Sequence, residues 1–182
     1  NPLYLNNRAD FYRVNKEDYD LSLADYATAI KISTNDYQTS RAHNNRAIIY
    51  GEQENYTLQI EEYTKAIETY SLALYYSNIA DVYKRLENYE KALADYTKAI
   101  ELDSENPQRY IARANCYNLN KQHVLALNDY NTVIRLKDDY YWYYYTRAYT
   151  KSTYLSKHEE AIKDYTKSIE LDSTYYYNYR YR

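Results

Sequence analysis

Asp95-Tyr96-Thr97-Lys98-Ala99-Ile100 is the middle copy of a phrase that the chain states five times. The others read Asp25-Tyr26-Ala27-Thr28-Ala29-Ile30, Glu62-Tyr63-Thr64-Lys65-Ala66-Ile67, Asp129-Tyr130-Asn131-Thr132-Val133-Ile134 and Asp164-Tyr165-Thr166-Lys167-Ser168-Ile169. From tyrosine to tyrosine the steps are 37, 33, 34 and 35 residues. Such a period marks a unit too small to bury its own apolar face, so copies must stack and share a core.

Upstream of each phrase, by about sixteen residues, lies a second one centred on an alanine: Ala9, Ala47, Ala80, Ala114 and Ala148. Arg8, Arg46, Arg113 and Arg147 precede four of these alanines, and Tyr12, Tyr50, Tyr83 and Tyr117 follow four of them by three residues; the fifth has Lys151 there. Each half carries apolar residues at helical spacing, as in Tyr76, Ile79, Ala80, Tyr83 and then Tyr89, Ala92, Leu93, Tyr96, Ala99, Ile100. Every repeat is thus read as two amphipathic helices joined by a polar turn such as Arg85-Leu86-Glu87-Asn88, with pairs like Glu61 and Lys65 on exposed faces. Asn1-Pro2 and Asn106-Pro107 open repeats, since proline tolerates the first helical turn. The expected boundaries are 2–36, 40–72, 73–106, 107–140 and 141–175, with 176–182 opening a sixth repeat of a longer chain.

Composition supports an all-α fold. One glycine and two prolines in 182 residues argue against many tight turns or positive φ angles. With 30 tyrosines but one Phe, one Trp and no Met, the core must use Leu, Ile, Ala and tyrosine rings whose hydroxyls need partners. A net charge of -3 and a pI near 5.7 argue against a nucleic-acid binder. The single Cys116 allows no internal disulfide, and no apolar run approaches a membrane span; a cytoplasmic location is expected, with any targeting signal outside this segment.

The pattern resembles the tetratricopeptide repeat family over essentially the whole chain, most completely in Tyr76, Ala80, Tyr83, Ala92, Tyr96 and Ala99. Small residues let helices approach closely. Ser22 and Gln59 replace the second-helix alanine in repeats one and two, Val133 and Ser168 replace the later one, and repeats one and five hold an extra residue before the turn. The resemblance implies a right-handed α-solenoid whose first helices line a concave groove, and a protein that binds another protein or an extended peptide there.

On that mapping Asn7, Asn45 and Asn78 occupy one groove position in three successive repeats, with Asn44 and Asn115 on nearby faces. An amide ladder of this kind can pair with a peptide backbone regardless of its sequence; the alternative is that asparagine is simply common on solvated helices here. In the run Tyr140-Tyr141-Trp142-Tyr143-Tyr144-Tyr145, followed by Tyr149 and Tyr154, Trp142 and Tyr145 should face the groove. They either grip apolar or proline-rich side chains or pack on the aromatic run from Tyr175 to Tyr181. The cations with which co-chaperone members clamp a chaperone's C-terminal carboxylate are missing: Asn6, Asp10, Leu74, Asn78, Gln108 and Ala112 stand in those places.

No enzyme, cofactor or metal is expected. His123 and His158 take the turn position that Tyr19, Tyr56 and Tyr89 hold elsewhere, and His43 opens repeat two, so all three are read as packing residues. Cys116 suits a small buried position, and Gly51 alone cannot build a phosphate loop. Two roles remain: a peptide-binding adaptor, or a structural scaffold that sets spacing in a larger assembly.

Overall fold

The computed structural model describes residues 1–174; the expected sixth-repeat opening at 176–182 and the run Tyr175 to Tyr181 lie outside the described residues. Among the described residues there are helices and no strands. The chain divides into two compact units, Asn1–Leu86 and from Glu87 onward.

The first unit holds α1 (Pro2–Phe11), α2 (Tyr19–Ile32), α3 (Asp36–Glu52), α4 (Tyr56–Thr69) and α5 (Ala73–Arg85), each packed on the next. The second holds α6 (Tyr89–Leu102), α7 (Pro107–Leu119), α8 (His123–Leu136), α9 (Tyr141–Tyr154) and α10 (His158–Leu171), packed likewise in chain order. Pro2 and Pro107 sit in the first turns of α1 and α7.

The alanines of both phrases lie where helices touch. Ala9, Ala47, Ala80, Ala114 and Ala148 are wholly buried, as are Tyr26, Tyr96 and Tyr165. Replacement of a small alanine by serine is met with a hydrogen bond: Ser22 Oγ donates to the Ala9 carbonyl at 2.9 Å, and Ser168 Oγ to that of Tyr141 at 2.9 Å. Gln59 is met differently. A Cβ built on Gly51 would fall 2.3 Å from Gln59 Nε2, so the chain's lone glycine makes room for the glutamine.

The aspartate and arginine of the two phrases meet. Arg113 Nε and Nη2 both reach Asp129 at 2.8 Å, Arg147 grips Asp164 at 2.8 and 2.6 Å, and Arg8 holds Asp25 at 2.7 Å through two nitrogens. Each of these links joins the two helices of one hairpin. Arg113 also donates to Thr97 Oγ1 on α6 at 3.0 Å, and Arg147 to Asn131 Oδ1 on α8 at 2.9 Å. In these two repeats the residue after the repeated tyrosine therefore ties one hairpin to the next. In repeat two, His43 Nδ1 lies 2.8 Å from Glu62 and Arg46 3.5 Å from it. Lys151, at the position of the missing tyrosine, donates to Asp164 at 2.9 Å.

The turns correct one expectation from composition. Glu17, Glu54, Glu87, Lys121 and Ser156 all have positive φ, between 51° and 58°, and each directly precedes the cap of a repeat's second helix. This geometry is forced by the way α3 and α7 close. Asn55 N–H reaches back to the Tyr50 carbonyl and Gln122 N–H to that of Tyr117, both at 2.8 Å. An intervening left-handed residue makes the reach feasible, whatever its side chain. In repeats one and five the extra residue lengthens the reach by one, from Asp18 to Tyr12 at 3.2 Å and from Lys157 to Lys151 at 2.9 Å. Repeat one accommodates it as a π turn over Tyr12–Lys16.

Much of the asparagine is spent on helix starts. Asn1, Asn35, Asn55, Asn88 and Asn106 each cap a helix, accepting from an N–H of its first turn.

Candidate functional site: an aromatic cleft and an amide network

In the second unit a cleft of about 390 Å³ runs between α7 and α9, floored by Tyr130 of α8. One wall is aromatic. Trp142 stacks on Tyr145 with centroids 5.2 Å apart, and Tyr145 on Tyr149 at 6.4 Å, while Tyr154 closes the end against Tyr149 at 5.9 Å. These residues share a face because α9 brings positions three and four apart onto one stripe. The intervening Tyr143 and Tyr144 are buried, and the Tyr143 hydroxyl accepts from Gln108 Nε2 of α7 at 3.2 Å. The opposite wall is Asn115, Asn118 and Leu119. None of the described lining side chains carries a charge.

A chain of hydrogen bonds holds the amides. His123 Nδ1 lies 3.1 Å from Asn118 Oδ1, and its ring stacks on Tyr154 at 4.1 Å. Asn118 Nδ2 donates to Thr150 Oγ1 at 3.0 Å and to the Tyr130 hydroxyl at 3.4 Å. Tyr130 in turn donates to Asn115 Oδ1 at 2.6 Å. Burial raises the Tyr130 hydroxyl well above its ordinary pKa, so it stays protonated and remains a donor.

In the first unit the predicted asparagines are linked to one another. Asn78 Nδ2 donates to Asn44 Oδ1 at 2.9 Å, Asn44 to Asn45 at 2.8 Å, and Asn45 to Asp10 Oδ1 at 2.7 Å. Asp10 also accepts from Tyr26 and from Arg41, which reaches on to Asn7 Oδ1 at 3.1 Å. Burial and the Asp10 carboxylate both raise the Tyr26 hydroxyl. Asn44 is only 6% exposed, with oxygen and nitrogen both engaged, so it holds the network rather than facing solvent. Asn7 Nδ2 and Asn78 Oδ1 keep unused capacity.

Of the residues singled out in sequence, Asn115, Trp142 and Tyr145 come together in the cleft, and Asn7, Asn44, Asn45 and Asn78 in the network. Asn118 and Tyr149, one turn from Asn115 and Tyr145, belong to the cleft as well, and Tyr154 stands at its end. Tyr130 and Asp10 were not readable as site residues. Cys116 is buried, and His158 is exposed at the start of α10. Among the described residues no group of three or more His, Cys, Asp or Glu is placed to hold a metal ion, and no helix is long and apolar enough to cross a membrane.

Comparison with known proteins bears on the architecture. Models of the tetratricopeptide repeat match residues 40–71, 73–106 and 143–175, together more than half of the chain. No curated protein matches the sequence significantly. The crystal structure of YrrB, "a TPR protein with an unusual peptide-binding site", superposes with a TM-score of 0.77 at 18% identity, covering 99% of this chain and 91% of that one. A tetratricopeptide repeat protein from Parabacteroides merdae gives 0.83 at 17% identity, covering 100% and 70%. The first TPR domain of Spaghetti (RPAP3), bound to the HSP90 peptide SRMEEVD, gives 0.55 at 30% identity over 59% of this chain and 85% of that one. These likenesses show the all-α solenoid fold, a general protein-interaction architecture that is typically non-enzymatic. With its repeated helical hairpins and matched repeat models, the chain belongs to the tetratricopeptide repeat family.

Proposed function

We propose that this chain is a protein-interaction adaptor that seats an extended segment of a partner protein in the cleft between α7 and α9. The observation that carries this reading is the concave aromatic wall Trp142, Tyr145 and Tyr149 facing an amide wall, without charge. Apolar pockets with a few directed polar groups are the usual form of a binding site. In the first unit the spare capacity of Asn7 and Asn78, held in place through Asn45, suits backbone capture of the same sequence-tolerant kind. An acidic tail like that bound by the Spaghetti domain fits this network poorly, because Arg41 is already paired with Asp10. The test is selection of a displayed random-peptide library on the immobilised chain, repeated on a Trp142→Ala, Tyr145→Ala double variant. Peptides retained by the first and lost by the second support the reading; selection that the double variant leaves unchanged overturns it.

One observation favours the scaffold alternative. Tyr4 and Phe11 of α1 are 62% and 50% exposed, whereas Ala42 and Ile49, at the same repeat positions of α3, are wholly buried beneath α2. That face fits an amphipathic helix bearing tyrosine and isoleucine as α2 does. Sedimentation of the chain with and without Phe11→Glu separates the two: an assembly dissolved by the substitution supports the scaffold, and a monomer in both forms removes it.

A further inference from the structure

We infer that the cleft between α7 and α9 is built for a proline-rich segment in the polyproline II conformation, a conclusion that rests on the cleft being the binding site. The polarity of its hydrogen-bonding groups selects the ligand. The bonds from His123 through Asn118 and Tyr130 end on Asn115 Oδ1. That bond takes one lone pair of the Asn115 oxygen and turns it toward Tyr130, and the Asn115 Nδ2 is left as a donor on the side chain that lines the cleft. Asn118 is engaged at both ends, its oxygen by His123 and its nitrogen by Thr150 and Tyr130. The amide wall therefore offers the N–H of Asn115, while both amide oxygens are turned to bonds within the protein.

A strand-like peptide brings backbone N–H and C=O alternately and would leave its donors unmet against such a wall, at a desolvation cost. A polyproline helix has no N–H at its prolines and makes no internal hydrogen bonds, so its carbonyls are free to accept. Its ring faces suit a wall of aromatic rings, the surface on which proline-rich segments dock in aromatic grooves. From Trp142 to Tyr154 the wall is about 18 Å long at the helical rise. About six residues of polyproline helix span that length. The lining among the described residues, which carries no charge, completes the match to neutral side chains.

The experiment uses a blocked nonaproline peptide and, as control, a blocked proline-free peptide of nine glycine, serine and alanine residues. Trp142 is the only tryptophan, so its emission reports the cleft directly. The expected result is saturable binding of nonaproline, none of the control, and a weakening of tenfold or more in Asn115→Asp and Asn115→Leu, which share the exposed position and keep the wild-type circular dichroism. Equal binding of the control, or unaltered affinity in both Asn115 variants, overturns the proline assignment. If nonaproline fails while the library selection yields proline-free peptides that depend on Trp142, the proline assignment is wrong and the cleft stands. If neither binds, both are wrong.

Discussion

The Tyr130 hydroxyl donates to Asn115 Oδ1 at 2.6 Å, joining the most repeated residue of the sequence to the wall of the cleft. Tyr26 makes the equivalent bond to Asp10, which again follows the small alanine of its repeat. In these two repeats the tyrosine fills the hairpin core with its ring and orders the residue after the small alanine with its oxygen, whereas the Tyr165 hydroxyl lies 3.4 Å from Ser152 Oγ. Tyr130→Phe is expected to cost about 1 kcal/mol of stability, the worth of a typical hydrogen bond. Urea unfolding measures it, and a loss near zero would mean that Asn115 is held by something else.

Removing Arg113 strands a carboxylate. Asp129 is nearly buried and receives both Arg113 bonds, so Arg113→Ala is expected to destabilise by about 3 kcal/mol. Arg147→Ala should cost less, because Lys151 remains 2.9 Å from Asp164. Thermal unfolding of the two variants ranks them; the reverse order would contradict the pairing.

Gly51 and Gln59 are expected to be coupled. On the native background Gly51→Ala forces the Gln59 amide out of its buried place, offsetting the gain in helix propensity. In a Gln59→Ala background the same change meets no obstacle and should stabilise by about 1 kcal/mol. A double-mutant cycle in urea reads the difference, and strict additivity would show that the contact is immaterial.

The left-handed turn residues carry strain that glycine relieves. Glu54→Gly and Lys121→Gly are each expected to raise stability by roughly 0.5–1 kcal/mol, against the usual penalty for glycine. Melting temperatures that fall in both would argue that the side chains, rather than the backbone, decide these turns.

Repeat three has Ile79 where its neighbours carry arginine, and Asp95 sits half-buried with no guanidinium from that position. Burial pushes its carboxyl up to about 6, only partly opposed by Lys91. The folded state thus binds this proton more tightly than the unfolded chain. Its contribution is fully present below about pH 4 and is lost as pH rises through 6. Asp95→Asn should therefore stabilise at pH 7 by on the order of 1–3 kcal/mol and by little at pH 4. Equal gains at both values, in unfolding titrations across that range, would locate the cause elsewhere.

The period of the tyrosine phrase and the helical spacing of its apolar residues determined by themselves that the chain is a stack of hairpins, since those properties belong to the covalent order of residues and to the geometry of a single helix. The same spacing set Trp142 and Tyr145 on one face. What only the tertiary structure decided is which polar groups meet across helices: that Arg113 serves Asp129 and Thr97 at once, that Asn44 is buried within a network, and that Tyr130 turns the amide of Asn115. Nor could the glycine count reveal the left-handed turns, because hydrogen bonds such as those from Asn55 to Tyr50 and from Gln122 to Tyr117 impose them on whatever residue stands there. Hydrogen bonds are short and directional, so they depend on how neighbouring helices are set, which no single segment of sequence encodes.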